Sequence, residues 1–125
     1  MSNLRGGVFA AAVALVLGVG YAGEARAVDD RTVQSFLRLS ERFQAQLPGS
    51  QVLSLAPAAK RARAVCILSR FEDGFGANGL QALMNLMNVL STGAEFDDPT
   101  IVAFNERFGA EYDRTERQCT RAALG

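Results

Sequence analysis

The feature that most constrains the fold is a run without charged residues, from Gly74 to Ala94. Large apolar residues recur in it every three or four positions, which predicts a helix. The set comprises Leu80, Leu83, Met84, Met87 and Leu90, and it is widened by Ala82, Leu86 and Val89. A helix that is apolar over most of its circumference must be covered by neighbouring elements. The run therefore predicts the central helix of a small fold.

The surplus apolar surface of this helix has two interpretations. In the first, it is entirely core, and the polar edge formed by Gln81, Asn85 and Asn88 is its only contact with water. In the second, part of it forms a groove for another protein or an amphiphile. We expect Met84 and Met87 to be buried. Leu86, Val89 and Asn85 are the candidates for an exposed binding surface.

Three further segments also have helical periodicity. The first begins at Asp29 or Asp30 and stops at the Pro48 and Gly49 pair. Another runs from Pro57 to about Asp73, where Gly74 is expected to end it. The last begins at Asp98 and Pro99, which suit the cap and the first turn of a helix. Together with the central helix, these segments predict an all-α, four-helix bundle-like domain over residues 28–125.

The N-terminal 27 residues have the pattern of a secretory signal peptide. Arg5 precedes the apolar stretch VFAAAVALVLGVGYA, and the triplet ARA at 25–27 offers a cleavage point. The mature chain would then begin at Val28. An uncleaved anchor is the alternative, although the apolar run is short of the ~20 residues that a spanning helix needs. We therefore predict a periplasmic or secreted protein that is not an integral membrane protein once the signal is cleaved.

Cys66 and Cys119 are the two cysteines of the chain. In an oxidising compartment their pairing is the expected outcome, and it requires the second and fourth helical segments to lie side by side. The two positions are far apart in sequence and form no C-x-x-C motif, which argues against a redox site. The sequence therefore predicts one structural disulfide.

A cluster of cations, KRAR, lies near the start of the second segment. Its charged residues, Lys60, Arg61 and Arg63, have two interpretations. They form either a solvated stripe paired with the acidic segment from Glu95 to Asp98, or a docking patch for an anionic partner or phospholipid head groups. These three residues complete the candidate binding surface.

Catalytic and metal-binding patterns are weak in this sequence. The absence of histidine removes the usual serine and cysteine triads and histidine-based zinc sites. The glycines of GFGANG follow a helical segment rather than a strand, which argues against a dinucleotide site. Met84 with Met87, and the acidic stretch EFDDPT, match neither a good copper site nor an EF-hand. We therefore predict no metal, no cofactor and no enzyme activity.

Charge and composition also restrict the partner. Removing Arg5, Glu24 and Arg26 from thirteen basic and thirteen acidic residues leaves eleven and twelve, a balance that does not suggest a nucleic-acid binder. Twelve arginines against one lysine suggest a GC-rich bacterial genome.

The predicted function is that of an exported, non-enzymatic interaction or inhibitor module that binds another envelope or secreted protein. The alternative is a small periplasmic chaperone or carrier for amphiphilic or unfolded clients. An enzyme with a spatially assembled carboxylate site is the least favoured class. The sequence does not determine the oligomeric state.

Overall fold

A computed structural model describes residues 28–125 of the chain. Over this range the fold is all-α, as predicted, and no strand occurs within it. The three helices are α1 (Asp30–Gln44), α2 (Pro57–Ser91) and α3 (Pro99–Leu124). The predicted signal peptide lies outside the described residues.

Helix α1 begins where the acidic pair at its start predicts. Asp29 is the N-cap, and its carboxylate accepts a hydrogen bond of 2.7 Å from the backbone N–H of Thr32. That hydrogen bond lowers the pKa of the Asp29 carboxyl, because it favours the charged form. One face of α1 is buried against α2 through Val33, Phe36 and Leu39. The helix is therefore an amphipathic element with one buried stripe.

Helix α2 differs from the prediction of separate second and third helices. It continues past Gly74, and the interruption falls at Gly76, where φ is 72° and ψ is −167°. A left-handed φ strongly favours glycine, since a Cβ would collide with the backbone there. The four predicted segments are thus three helices, and α2 consists of two arms, residues 57–75 and 77–91, joined at Gly76.

Contacts with α1 and with the turn that follows it establish that the two arms fold back toward each other. Lys60 on the first arm lies 2.9 Å from the carboxylate of Glu41, while Gln46, five residues after Glu41, donates to the carbonyl of Leu90 at 3.2 Å. A straight helix would separate residues 60 and 90 by about 45 Å. Residues 41 and 46 cannot reach both ends of such a helix, so the chain reverses direction at Gly76.

Helix α3 has the start that its sequence predicts. Asp98 is the N-cap, its side chain accepts from the N–H of Thr100 at 2.8 Å, and Pro99 occupies the first turn. The buried face of α3 meets Phe71 of α2 in an aromatic cluster whose ring centroids lie 5.6 to 6.3 Å from that of Phe71. These rings belong to Phe104, Phe108 and Tyr112. Aromatic packing therefore holds α3 along the first arm of α2.

The predicted disulfide is confirmed. Cys66 of α2 and Cys119 of α3 are bonded, with Cα atoms 5.8 Å apart and a sequence separation of 53. Cys119 is buried and Cys66 is half-buried. The bond ties the last two turns of α3 to the first arm of α2, at the opposite end of α3 from its capped start.

We expect removal of the disulfide to lower stability strongly. Replacing both cysteines by alanine releases a loop of more than 50 residues in the unfolded chain, which is worth about 4 kcal/mol in the chain-entropy account. For a domain of this size that corresponds to a melting temperature lower by roughly 15 to 30 °C, measured by circular dichroism. An unchanged melting temperature, or two titratable thiols in the native protein, would contradict this account.

A second prediction concerns the glycines of the bend. A Cβ at Gly79 would lie 2.2 Å from the Cβ of Phe75, whereas a Cβ at Gly74 would meet nothing within 4 Å. Gly79→Ala should therefore destabilise the fold by about 1–3 kcal/mol in urea denaturation. Gly74→Ala is the matched control, and it should be neutral or stabilise by about 0.5 kcal/mol. Equal stability of the two variants would show that the bend does not need this close approach.

Candidate binding groove

The reversal of α2 leaves an apolar groove between α1 and α3. Both of these helices pack on α2, but their backbones do not contact each other. The gap over the second arm is a groove of about 300 Å³, to which all three helices and the connection before α3 contribute. Its lining residues are Phe43, Leu86, Leu90, Phe96, Ile101, Asn105 and Tyr112. None of them carries a charge at neutral pH.

The groove has a buried floor and an exposed rim. Leu86 and Leu90, one turn apart on α2, form the floor, and Leu86 is only 3% exposed. Phe43 of α1 stands on one side, while Ile101 of α3 stands on the other. Phe96, in the short connection between α2 and α3, is 70% exposed and is the most exposed large apolar residue of the described chain.

Tyr112 gives the α3 wall its aromatic character. Its ring lies edge-on to those of Phe71 and Phe104, at centroid distances of 6.3 and 5.8 Å. Burial raises the pKa of Tyr112 to about 12; the positive charge of Arg63 opposes this rise, and the nearby carboxylate of Glu116 adds to it. The phenol is therefore neutral throughout the physiological range, and this wall carries no charge.

The expected binding residues of the second arm do not share one surface. Leu86 lies at the bottom of the groove rather than on an exposed face, which corrects the prediction that it is an exposed contact. Val89 is half-buried against the core. Asn85 is exposed, but it lines a different cleft, of about 420 Å³, together with Arg107.

The two methionines of the second arm are not equally buried. Met87 is 1% exposed, as predicted, whereas Met84 is half-buried and packs at the edge of the core. The arm is therefore turned about its axis relative to the orientation expected from its apolar residues. A helix with apolar residues on most sides does not itself specify which side faces its neighbours.

The predicted basic cluster is divided among three partners. Lys60 pairs with Glu41 and Arg61 pairs with Asp30, both on α1. Arg63 pairs with Glu116 on α3. The interpretation that pairs these cations with the acidic segment from Glu95 to Asp98 is therefore wrong, because the fold brings α1 and the end of α3 to them instead.

Arg63 is a structural residue rather than part of an exposed patch. It is 3% exposed, and its guanidinium donates to the hydroxyl of Thr120 at 2.7 Å and to the carboxylate of Glu116 at 3.1 Å. A longer hydrogen bond of 3.5 Å reaches the hydroxyl of Ser40 on α1. One side chain of α2 therefore links α1 and α3. Arginine suits this role because its planar head offers donors in several directions.

The groove residues missed by sequence analysis are Phe43, Phe96, Ile101, Asn105 and Tyr112. Phe43, Ile101 and Tyr112 fit the helical periodicity of core residues, so their sequence pattern resembles that of an ordinary buried stripe. Asn105 is an exposed polar residue beside that stripe. Phe96 had a usable signal. It is a phenylalanine in a short polar connection, between Glu95 and Asp97, where burial is not expected.

The described residues give little support to other kinds of site. Residues 28–125 contain no group of three or more acidic, cysteine or histidine side chains placed to hold a metal ion. Within the same range, no helix is both long and apolar enough to cross a membrane. Comparison with protein-family models, curated proteins and solved structures finds no match to this chain.

The role of Arg63 leads to a testable prediction. Arg63→Ala should destabilise the fold by about 3 kcal/mol in urea denaturation, because it leaves Glu116 and its neighbours without their buried donor. Arg63→Lys should recover only part of this loss, since an ammonium group cannot reproduce the planar set of donors of the guanidinium group. Lys60→Ala is the control, and it should cost less than about 1 kcal/mol because its ion pair is partly solvated. If Arg63→Ala has the stability of the wild type, Arg63 contributes no more to the fold than a solvated surface cation does.

Proposed function

We propose that this protein is an exported, non-enzymatic binding protein that recognises another envelope or secreted protein through the groove beside Phe96. The observation that carries the proposal is the combination of an apolar groove with a large aromatic side chain exposed at its rim. Exposed aromatic residues beside well-packed pockets are typical of the anchor points of protein interfaces. An exposed Phe96 adds nothing to the folding stability of the isolated domain, because its ring remains in water.

Export is supported by the disulfide and by the N-terminal sequence. A structural disulfide that closes a long loop is maintained in an oxidising compartment such as the periplasm or the extracellular space. The pattern of residues 1–27 is that of a cleavable signal. We therefore place the partner in the same compartment, as another envelope protein or a secreted one.

The lining of the groove supports binding rather than catalysis. Asn105 and Tyr112 are the polar residues among those that line it, and the phenol of Tyr112 is neutral with a pKa of about 12. An amide and a neutral phenol supply neither a nucleophile nor a general base at physiological pH. The groove is suited to apolar recognition.

The proposal is tested by capture of the native partner with a matched pair of variants. The tagged protein is purified from the envelope of its own host as wild type, Phe96→Ala and Leu124→Ala. Both replaced residues are exposed, Leu124 at 48%, so neither variant should lose more than about 0.5 kcal/mol of stability. We expect one abundant protein to co-purify with wild type and Leu124→Ala and to be depleted at least tenfold with Phe96→Ala.

Other outcomes of this experiment contradict the proposal in distinct ways. Many unfolded proteins in place of one partner would indicate a chaperone. Co-purified lipid, identified by mass spectrometry, would indicate a carrier for amphiphiles. Equal recovery of a partner with wild type and Phe96→Ala would place the interface elsewhere on the molecule.

A further inference from the structure

The shape of the groove restricts what can occupy it. Its α3 wall extends from Ile101 to Tyr112, which are eleven positions apart and therefore about 16 Å apart at the rise of an α-helix. Its floor is formed by Leu86 and Leu90, one turn apart on a helix. A channel between helices, with a helical floor, accepts another helix by the same packing of side-chain ridges into grooves that forms the core. An occupant of this length has three turns.

An extended peptide has less to gain here. Peptides that bind as strands use the free N–H and C=O groups of a sheet edge. The described residues form helices and short connections, so they offer no such edge to an extended segment. Helix-in-groove binding instead depends on apolar side chains at positions such as i, i+4 and i+7, which fall on one face.

The charged residues around the groove differ in sign between its two sides. Phe96 is flanked by Glu95 and Asp97, both exposed, and neither takes part in the ion pairs found among residues 28–125. Glu106, also exposed, follows the lining residue Asn105. On the opposite side Arg42 precedes Phe43, in the last turn of α1, where it offsets the negative end of the helix dipole. The rim is therefore mainly acidic near Phe96.

We propose that the occupant is a three-turn amphipathic helix of the partner protein that carries basic side chains where it meets Glu95 and Asp97. Its apolar face lies on Leu86 and Leu90 and covers the ring of Phe96. Its cations face the two carboxylates, which favours this partner over an acidic helix of the same apolar pattern. The inference rests on the proposed function, and it specifies the chemistry of the segment that is recognised.

The experiment uses synthetic peptides as probes of the oxidised, exported protein. A fluorescein-labelled 14-residue helix of leucine and lysine carries leucines at i, i+4 and i+7 on one face. A leucine and glutamate peptide has the same pattern, and a scrambled leucine and lysine peptide has the same composition without an apolar face. Fluorescence anisotropy at low and at high salt measures the affinity. We expect the amphipathic lysine peptide to bind at least tenfold more tightly than either of the others.

Two matched pairs of variants locate the binding. Phe96→Ala should lower the affinity for the amphipathic lysine peptide at least tenfold, whereas Leu124→Ala should leave that affinity unchanged. Asp97→Asn should lower the affinity for this peptide about threefold at low salt and have little effect on it at high salt. Asp73→Asn removes an exposed carboxylate near the bend at Gly76, at the far end of the second arm, and should change nothing.

The contradicting outcomes differ from those for the proposed function. Equal affinities for the lysine and glutamate peptides would overturn the basic character of the occupant. Equal affinities for the amphipathic and scrambled lysine peptides would overturn its helical face. Equal losses in Asp97→Asn and Asp73→Asn would overturn the pairing of its cations with Asp97. If the native partner depends on Phe96 while no peptide binds, the proposed function stands and this inference fails.

Discussion

The left-handed backbone at Gly76 is the constraint on which the rest of the structure depends. It lets α2 reverse direction, so that a single element, interrupted at Gly76, supplies two helical arms between α1 and α3. Because both arms are available, Glu41 of α1 contacts the first arm, and Gln46, in the turn after α1, contacts the second. A straight α2 of 35 residues would extend about 52 Å and would leave much of its apolar surface in water.

A gap lies between α1 and α3 over each arm of α2. One gap is bridged by side chains, and the other is open. On the side of the first arm, Arg63 links Ser40 of α1 to Thr120 and Glu116 of α3, and the disulfide lies close by. The hydrogen bonds of Arg63 bridge that gap, and the disulfide holds α3 to the first arm of α2 beside it. On the side of the second arm, no equivalent link is found among the described residues, and the gap is the apolar groove beside Phe96. The closed side provides the rigidity that a preformed groove needs for the proposed binding.

Much of the local structure could be predicted from the sequence, while much of the candidate site could not. The capped start of α3 at Asp98 follows from local chemistry, and the pairing of Cys66 with Cys119 follows from the predicted oxidising compartment. The orientation of the second arm was missed, and with it the burial of Leu86 at the bottom of the groove. The reason is physical: an almost wholly apolar helix has a weak preference for which side faces its neighbours, so packing makes the choice.

The sequence by itself determined the helical character of the described chain, the caps of α1 and α3 and the identity of the disulfide partners. These depend on interactions within a few residues or on covalent chemistry. Only the tertiary structure decided that Arg63 is a buried link while Phe96 is exposed, although composition suggests the reverse for each residue type. Charge pairing and burial depend on which distant segments meet. That meeting is set by the direction in which the chain leaves Gly76, and a list of residues does not encode that direction in any local pattern.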